Sequence, residues 1–377
     1  MRSEPQLIEH IFDLIDRDST DMGSEDWLEP VDNYRSQARF AAEINMMRRL
    51  PTAFCPLAAL DQPGSYVARL SAGVPVVVVR GLDNKIRAFR NACRHRGMQL
   101  ADGTGCTKIF RCTYHGWAYR LDGRLEYVPD EHGFPGLDKS TRGLVPLHSV
   151  SVQGGLVFVT QDDPIGEGAL EALPDLLAPD QIIFDSHESV SDVNWKLQAE
   201  GTLEGYHIKH THPETFYPYG YDNLNVIETQ GPNMRVCFPF RRIEKMRDTP
   251  SAERTLGRSV TLVNYVFPNA SITRLSDHFT ISFAEPESPF RTRYYNYRMT
   301  MPTADGRAPT SEAVGHAKKD AAFLSDTGLK EDAKVIRDIQ AAIGSGANTH
   351  YTFGRFESAI VHLHKNLAAN LERLPAS

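Results

Sequence analysis

Two short runs carry the first chemistry in this chain. Cys93-Arg-His95 and Cys112-Thr-Tyr-His115 each set one thiol and one imidazole in a tight loop. Together they offer a Cys2His2 donor set. Structural zinc is one possible occupant, but zinc sites typically pair like with like, as C-x2–4-C and H-x3–5-H. Mixed C-x-H and C-x2-H pairs are the arrangement in which two thiolates hold one iron and two imidazoles the other iron of a [2Fe–2S] cluster. Four unrelated loop residues are the bland alternative. Gly97 and Gly116 beside the pairs, and hairpin patterns around them, weigh against it.

A second run contains Glu204, His207 and His212, spaced E-x2-H-x4-H. Two histidines five apart converge on one metal if a helix ends between them, and Pro213 favours an end there. Two imidazoles and one carboxylate form the facial triad of non-haem Fe(II) oxygenases, which leaves positions open for O2 and substrate. His207, His210 and His212 also fit a helix face or a zinc site on local spacing alone.

The elements that must position these residues fall into two groups. Leu7, Ile8, Ile11, Phe12 and Ile15 recur at helical spacing, and a second helical stretch spans about 33–49. From about 50 to 160 the period is that of strands: Val74–Arg80 and Lys85–Arg90 read as a hairpin. Asp122-Gly123 and Gly154-Gly155 each mark another. Beyond a Pro-, Gly- and Asp-rich linker, 188–195 reads as a strand and 196–210 as one helix. Stretches at 225–240, 259–267, 270–275, 278–284 and 291–301 read as one meander, followed by helices at 328–343 and 355–373. Strands followed by helices give an α+β second domain.

The net charge is −7, so the chain is a poor general nucleic-acid binder. Its longest apolar run, Val74–Val79, is far short of the ~20 residues that span a bilayer. Acidic residues interrupt the N-terminal apolar stretch, against a signal peptide. Five cysteines make no disulfide framework. A cytoplasmic protein with reduced thiols is expected, without membrane or nucleic-acid partners. Cys55, Cys106 and Cys237 read as small buried apolar residues.

CRHRG and CTYHGW resemble the two boxes of a Rieske domain of the ring-hydroxylating oxygenase type, and Trp117, Tyr119, Gly123 and the Val128-Pro129-Asp130 that follow fit that pattern. Asn194-Trp195-Lys196, an acidic residue and two histidines at this spacing resemble the catalytic domain of Rieske non-haem iron oxygenase α subunits. The resemblance covers about 45–373. It implies an α+β chain. An N-terminal helical segment (1–48) precedes an antiparallel-β Rieske domain (49–165). A helix-grip catalytic domain of antiparallel sheet with helices (166–377) follows. It implies a [2Fe–2S] cluster on Cys93, His95, Cys112 and His115, and mononuclear Fe(II) on His207, His212 and an Asp of a C-terminal helix. Asp332 fits that helix best, with Asp326 and Asp338 as rivals. Glu204 stands where the family usually has Asp, as in carnitine-oxygenase-like members. Its implied role is to bridge His115 of one subunit to His207 of the neighbour, within a head-to-tail homotrimer. Glu200 reads as an ordinary helix-face acid, and His362 and His364 as structural.

The implied activity is that of a terminal oxygenase. It uses O2 and electrons from a separate reductase or ferredoxin, since no G-x-G-x-x-G nucleotide motif follows a strand. After His212, Phe216, Tyr217, Tyr219 and Tyr221 suit stacking on an aromatic substrate or caging a quaternary ammonium group. Arg241, Arg242 or Arg293 suits a substrate carboxylate. The expectation is hydroxylation of a hydrophobic cyclic or aromatic small molecule. The alternatives are a monooxygenase or demethylase of a quaternary ammonium compound and a non-catalytic Rieske electron carrier.

Overall fold

The computed structural model describes residues 1–326 and 328–375. The chain forms two compact units, Ile44–Glu167 and a discontinuous one built from Met1–Glu43 and Gly168–Ser377.

The strands of the first unit pair antiparallel throughout. A four-stranded sheet runs in the order Ile86–Arg90, Val74–Arg80, Ser65–Ser71, Gly103–Cys106. A three-stranded sheet joins Ser149–Gln153, Leu156–Thr160 and Thr52–Pro56. The hairpin at Gly154-Gly155 has both residues at positive φ (59° and 78°), which a two-residue turn of matching twist requires. Phe110–Arg111, Ala118–Tyr119 and Leu125–Tyr127 form a third, small sheet. Its core is Val77, Val79, Phe89, Phe110, Trp117, Tyr119 and Leu125, and the side chains of Cys93 and Cys112 are part of it.

The second unit is a seven-stranded antiparallel sheet flanked by helices. Its order is Ile183–Ser191, Arg291–Thr300, His278–Ser288, Ala270–Arg274, Val260–Val266, Asn233–Pro239, Val226–Gln230. The meander expected from the sequence is there, but 225–240 is a hairpin rather than one strand. Gly231 turns it at φ +55°. The helix Ser311–Asp326 lacks a clear apolar stripe and was not anticipated. No helix among the described residues is long and apolar enough to cross a membrane.

Asn194-Trp195-Lys196 is a buried anchor. The Asn194 side chain caps the Trp195–Gly201 helix by accepting from Lys196 N (3.0 Å) and donates to the carbonyls of Tyr34 and Pro289. Trp195 Nε1 and Lys196 Nζ both donate to the Glu43 carboxylate, at 2.8–2.9 Å. Lys196 and Glu43 are fully buried, so losing either partner leaves an uncompensated charge, a cost of about 3–5 kcal/mol. The anchor fixes where the helix starts and hence where the segment carrying Glu204 and His207 emerges.

Glu200, on that helix, is not the surface acid the sequence suggested. It is buried, accepts from Tyr34 Oη at 2.7 Å, and lies 2.9 Å from His364 Nε2. Glu29 lies 3.4 Å from His364 Nδ1, an ionic contact without an aligned hydrogen bond. Burial alone would push the His364 imidazolium down. The Glu200 hydrogen bond and the charges of Glu200 and Glu29 outweigh it and hold the pKa at about 9. A pKa raised above its unfolded value near 6.5 contributes stability that is complete below that value and is lost as pH rises through 9. The expected loss is about 3 kcal/mol. Urea midpoints at pH 6.5 and 9.5 check this. A His364→Gln variant whose midpoint falls as steeply with pH as the parent's refutes it.

Candidate metal centres

The two Cys/His loops of the β unit repeat one backbone design. In each, the Cys N–H donates to the carbonyl five residues on (Cys93 to Met98, Cys112 to Trp117, both 2.8 Å). In each, a glycine four residues on returns its N–H to the Cys carbonyl (Gly97 2.8 Å, Gly116 2.9 Å). Both glycines sit at φ near +80°, a left-handed conformation that disfavours side chains. The loops bring the His95 and His115 rings to 4.7 Å between centroids. Trp117 stacks on His95 at 5.0 Å, and Phe134 packs edge-on against both rings.

These residues fit a cluster. The Nδ1 atoms of His95 and His115 are buried and have no hydrogen-bond partner, the state expected of imidazoles whose lone pairs are reserved for a metal. Burial, then the neighbouring His115 and Arg96, push the His95 pKa down and keep the ring neutral. Burial pushes the Cys93 thiol up, so an incoming iron displaces its proton. Tyr119 Oη accepts from Arg94 N (2.9 Å) and lies 3.3 Å from Cys93 Sγ, where it donates to a thiolate.

In the second unit His207, His212 and Asp332 converge, with one donor atom from each within 4.8 Å of the others. A helix ends between the histidines, as the spacing suggested, but it is not the continuous 196–210 helix expected. Instead the Trp195–Gly201 helix stops, and a single helical turn, Ile208–Thr211, has His207 just before it and His212 just after. Asp332 comes from the Gly328–Ala342 helix. Its Oδ1 lies 2.8 Å from His212 Nε2 and 3.6 Å from His207 Nε2. His212 Nε2 is buried yet makes no aligned hydrogen bond, so it and the carboxylate face a common point rather than each other. That is the fit expected of a metal site.

Each imidazole has a second carboxylate on its other nitrogen. Glu204 Oε1 holds His207 Nδ1, and Glu204 Oε2 accepts from the backbone N–H groups of Tyr206 and His207. Glu331 Oε2 lies 2.7 Å from His212 Nδ1 and accepts from Thr215 Oγ1. The sequence reading found Glu204 and missed Glu331. A single helical carboxylate was sought, and the KED run holds two. Phe216 packs against His212 at 4.7 Å.

Other candidates lie elsewhere. Asp338 is exposed and pairs with Lys334, and the side chain of Asp326 lies outside the described residues. His362 is half-buried and bonds the Gly231 carbonyl. Cys106 is exposed, against the expectation of burial, while Cys55 and Cys237 are buried. Tyr217 and Tyr221 both face the Arg241 guanidinium, at 5.6 and 5.1 Å, so the chain's own cation occupies rings expected to face a substrate. Arg242 packs on Phe240, and Arg293 pairs with Glu287 and Glu188.

Residues 183–373 match the family described as ring hydroxylating alpha subunit (catalytic domain), and 51–141 match the Rieske [2Fe-2S] domain. The chain is 37% identical over 158 residues to the glycine betaine monooxygenase oxygenase subunit of Chromohalobacter salexigens, covering 40% of this chain and 35% of that one. It is 31% identical over 201 residues to the carnitine monooxygenase oxygenase subunit of Escherichia coli K12, covering 50% and 53%. The matched stretches thus span about a third to a half of these relatives. Among solved structures, a quaternary ammonium Rieske monooxygenase superposes with a TM-score of 0.76 at 20% identity, covering 91% of this chain and 95% of that one.

Proposed function

The chain belongs to the ring-hydroxylating oxygenase α subunits, which join a Rieske domain to a mononuclear-iron catalytic domain, and on that footing we propose that it is the terminal component of a monooxygenase acting on a quaternary ammonium compound. The observation that carries the oxygenase chemistry is the convergence of His207, His212 and Asp332 on one point. Two imidazoles and a carboxylate leave coordination positions open. The substrate class is supported by the likeness to glycine betaine and carnitine monooxygenases. It replaces the aromatic substrate expected from the tyrosine-rich loop.

Bound at these two sites, the cluster supplies single electrons and the iron supplies O2 binding and activation. The chain's own residues set the conditions. Cys93, Cys112, His95 and His115 would hold the cluster, and His207, His212 and Asp332 the iron. Glu204 keeps the proton of His207 on Nδ1 and so leaves Nε2 free to ligate. Phe216 covers a side of His212 and excludes water from it. Electrons come from a separate reductase or ferredoxin.

The test is turnover of the full chain with a donor protein, NADH and labelled O2 on a panel of betaine-, carnitine- and choline-type compounds beside aromatic acids. Stoichiometric O2 consumption with oxidation of a quaternary ammonium compound is expected, the labelled oxygen passing to the hydroxylated carbon, where any aldehyde formed is trapped before it exchanges with water. Turnover of the aromatic acids alone would overturn the substrate class, and turnover without O2 consumption would overturn the oxygenase reading.

Glu204 is proposed to carry the inter-subunit bridge from His115 in a head-to-tail trimer. Glu204→Gln offers one acceptor oxygen where the carboxylate offers two. A charge-assisted hydrogen bond is worth roughly 1.5–3 kcal/mol. Single-turnover reduction of the iron should therefore slow by about 10- to 100-fold with both metals retained. An unchanged rate, or a fully active monomer in sedimentation, would exclude the bridge.

A further inference from the structure

We propose that Glu331, braced by Thr215, is a positioning residue that makes His212 a metal ligand of fixed tautomer and orientation, an inference that rests on His207, His212 and Asp332 forming the iron site. Glu331 and Asp332 are consecutive on the Gly328–Ala342 helix, so their side chains leave it about 100° apart. That angle lets them reach opposite nitrogens of one imidazole. Asp332 lies 2.8 Å from Nε2 and Glu331 2.7 Å from Nδ1.

The hydrogen bonds decide where the imidazole proton sits. The Thr215 hydroxyl donates to Glu331 Oε2 at 2.7 Å, and the same oxygen meets His212 Nδ1. An ionised carboxylate only accepts, so Nδ1 is the protonated nitrogen and Nε2 keeps its lone pair. His212 is buried, and Phe216 packs against its ring, which restricts rotation away from this pose. A carboxylate on Nδ1–H also raises the donor strength of Nε2.

The two histidines are braced differently. Glu204 is held by backbone N–H groups of its own turn, which substitution cannot remove. Glu331 depends on a hydroxyl supplied from the segment after His212. His212 is therefore the ligand whose brace can also be loosened one side chain further out, at Thr215.

The plain alternative is that Thr215 and Glu331 only tie the loop to the helix. Metal binding separates the two. The full chain, with its cluster in place and the mononuclear metal removed by chelator, is dialysed against Fe(II). Co(II) is then loaded as an EPR probe with the cluster oxidised and silent. Glu331→Gln should weaken Fe(II) binding by about 10- to 100-fold and change the Co(II) signal. Thr215→Val should shift both in the same direction by less, and Thr215→Ser should restore them. Asp332→Ala, as control, should bind neither ion. Should the parent bind no Fe(II), or Asp332→Ala bind it as well as the parent, the iron site itself is wrong. With those controls as expected, parent-like affinity and Co(II) signal in both Glu331→Gln and Thr215→Val would overturn the positioning role.

Discussion

Asp332→Ala is expected to abolish turnover and mononuclear iron while leaving the [2Fe–2S] absorbance unchanged. Among the described residues Asp332 is the carboxylate that approaches both histidine Nε2 atoms, so its removal leaves two imidazoles and no anionic ligand. Glu331 is not placed to substitute, since its carboxylate is held on the opposite, Nδ1 side of His212 by that imidazole and Thr215. Iron analysis should fall from about three per chain to about two, the cluster's share. Asp338→Ala should behave as the parent, because Asp338 is exposed and paired with Lys334. An Asp332→Ala enzyme that keeps its third iron and its rate removes this residue from the site.

The second large effect concerns the cluster. Cys93→Ser and His115→Ala should each eliminate the visible absorbance and all electron delivery. Cys93 and His115 sit in the tight loops fixed by backbone hydrogen bonds and positive-φ glycines, with Cys93 in the core and His115 Nδ1 buried without a partner. The catalytic unit is compact in its own right and should stay folded. Far-UV circular dichroism and iron content test this together: loss of the cluster with about one iron retained is the expected result. Full cluster spectra in either variant would show that the ligand set is wrong.

What the sequence revealed was local. Cys93 and His95, Cys112 and His115, and His207 and His212 each fall within one turn or loop, so spacing constrains geometry directly. Asp332 came from a family likeness, and the structure brings it to the histidines from a helix more than a hundred residues on. Glu331 escaped because adjacency in sequence says nothing about which nitrogen of a distant imidazole each carboxylate meets. The Glu29, Tyr34, Glu200 and His364 cluster escaped for the same reason on a larger scale: Tyr34 and His364 stand 330 positions apart. The helix break after Gly201 was missed because 196–210 has no proline. The loop then runs through Gly205, whose added Cβ would sit 2.4 Å from Asn225 Oδ1.

The discontinuous catalytic unit has a consequence for biosynthesis. Residues 1–43 are made well before the groups they pack against, which lie from Lys196 to His364. At ~5–20 residues per second, the wait between Tyr34 and His364 is roughly 15–70 s. For the first part of it Glu43 has no Lys196, and for longer Leu7, Ile8, Ile11 and Phe12 lack the residues from Leu224 to Leu262 that cover them. The intervening segment is contiguous and is free to complete its own β structure in that time. An exposed apolar helix tethered to a finished domain is a target for chaperones and a seed for aggregation. Slower, cooler expression with ample chaperone should therefore raise soluble yield. Trimming the first 43 residues as a dispensable tail should instead cost the catalytic unit its fold.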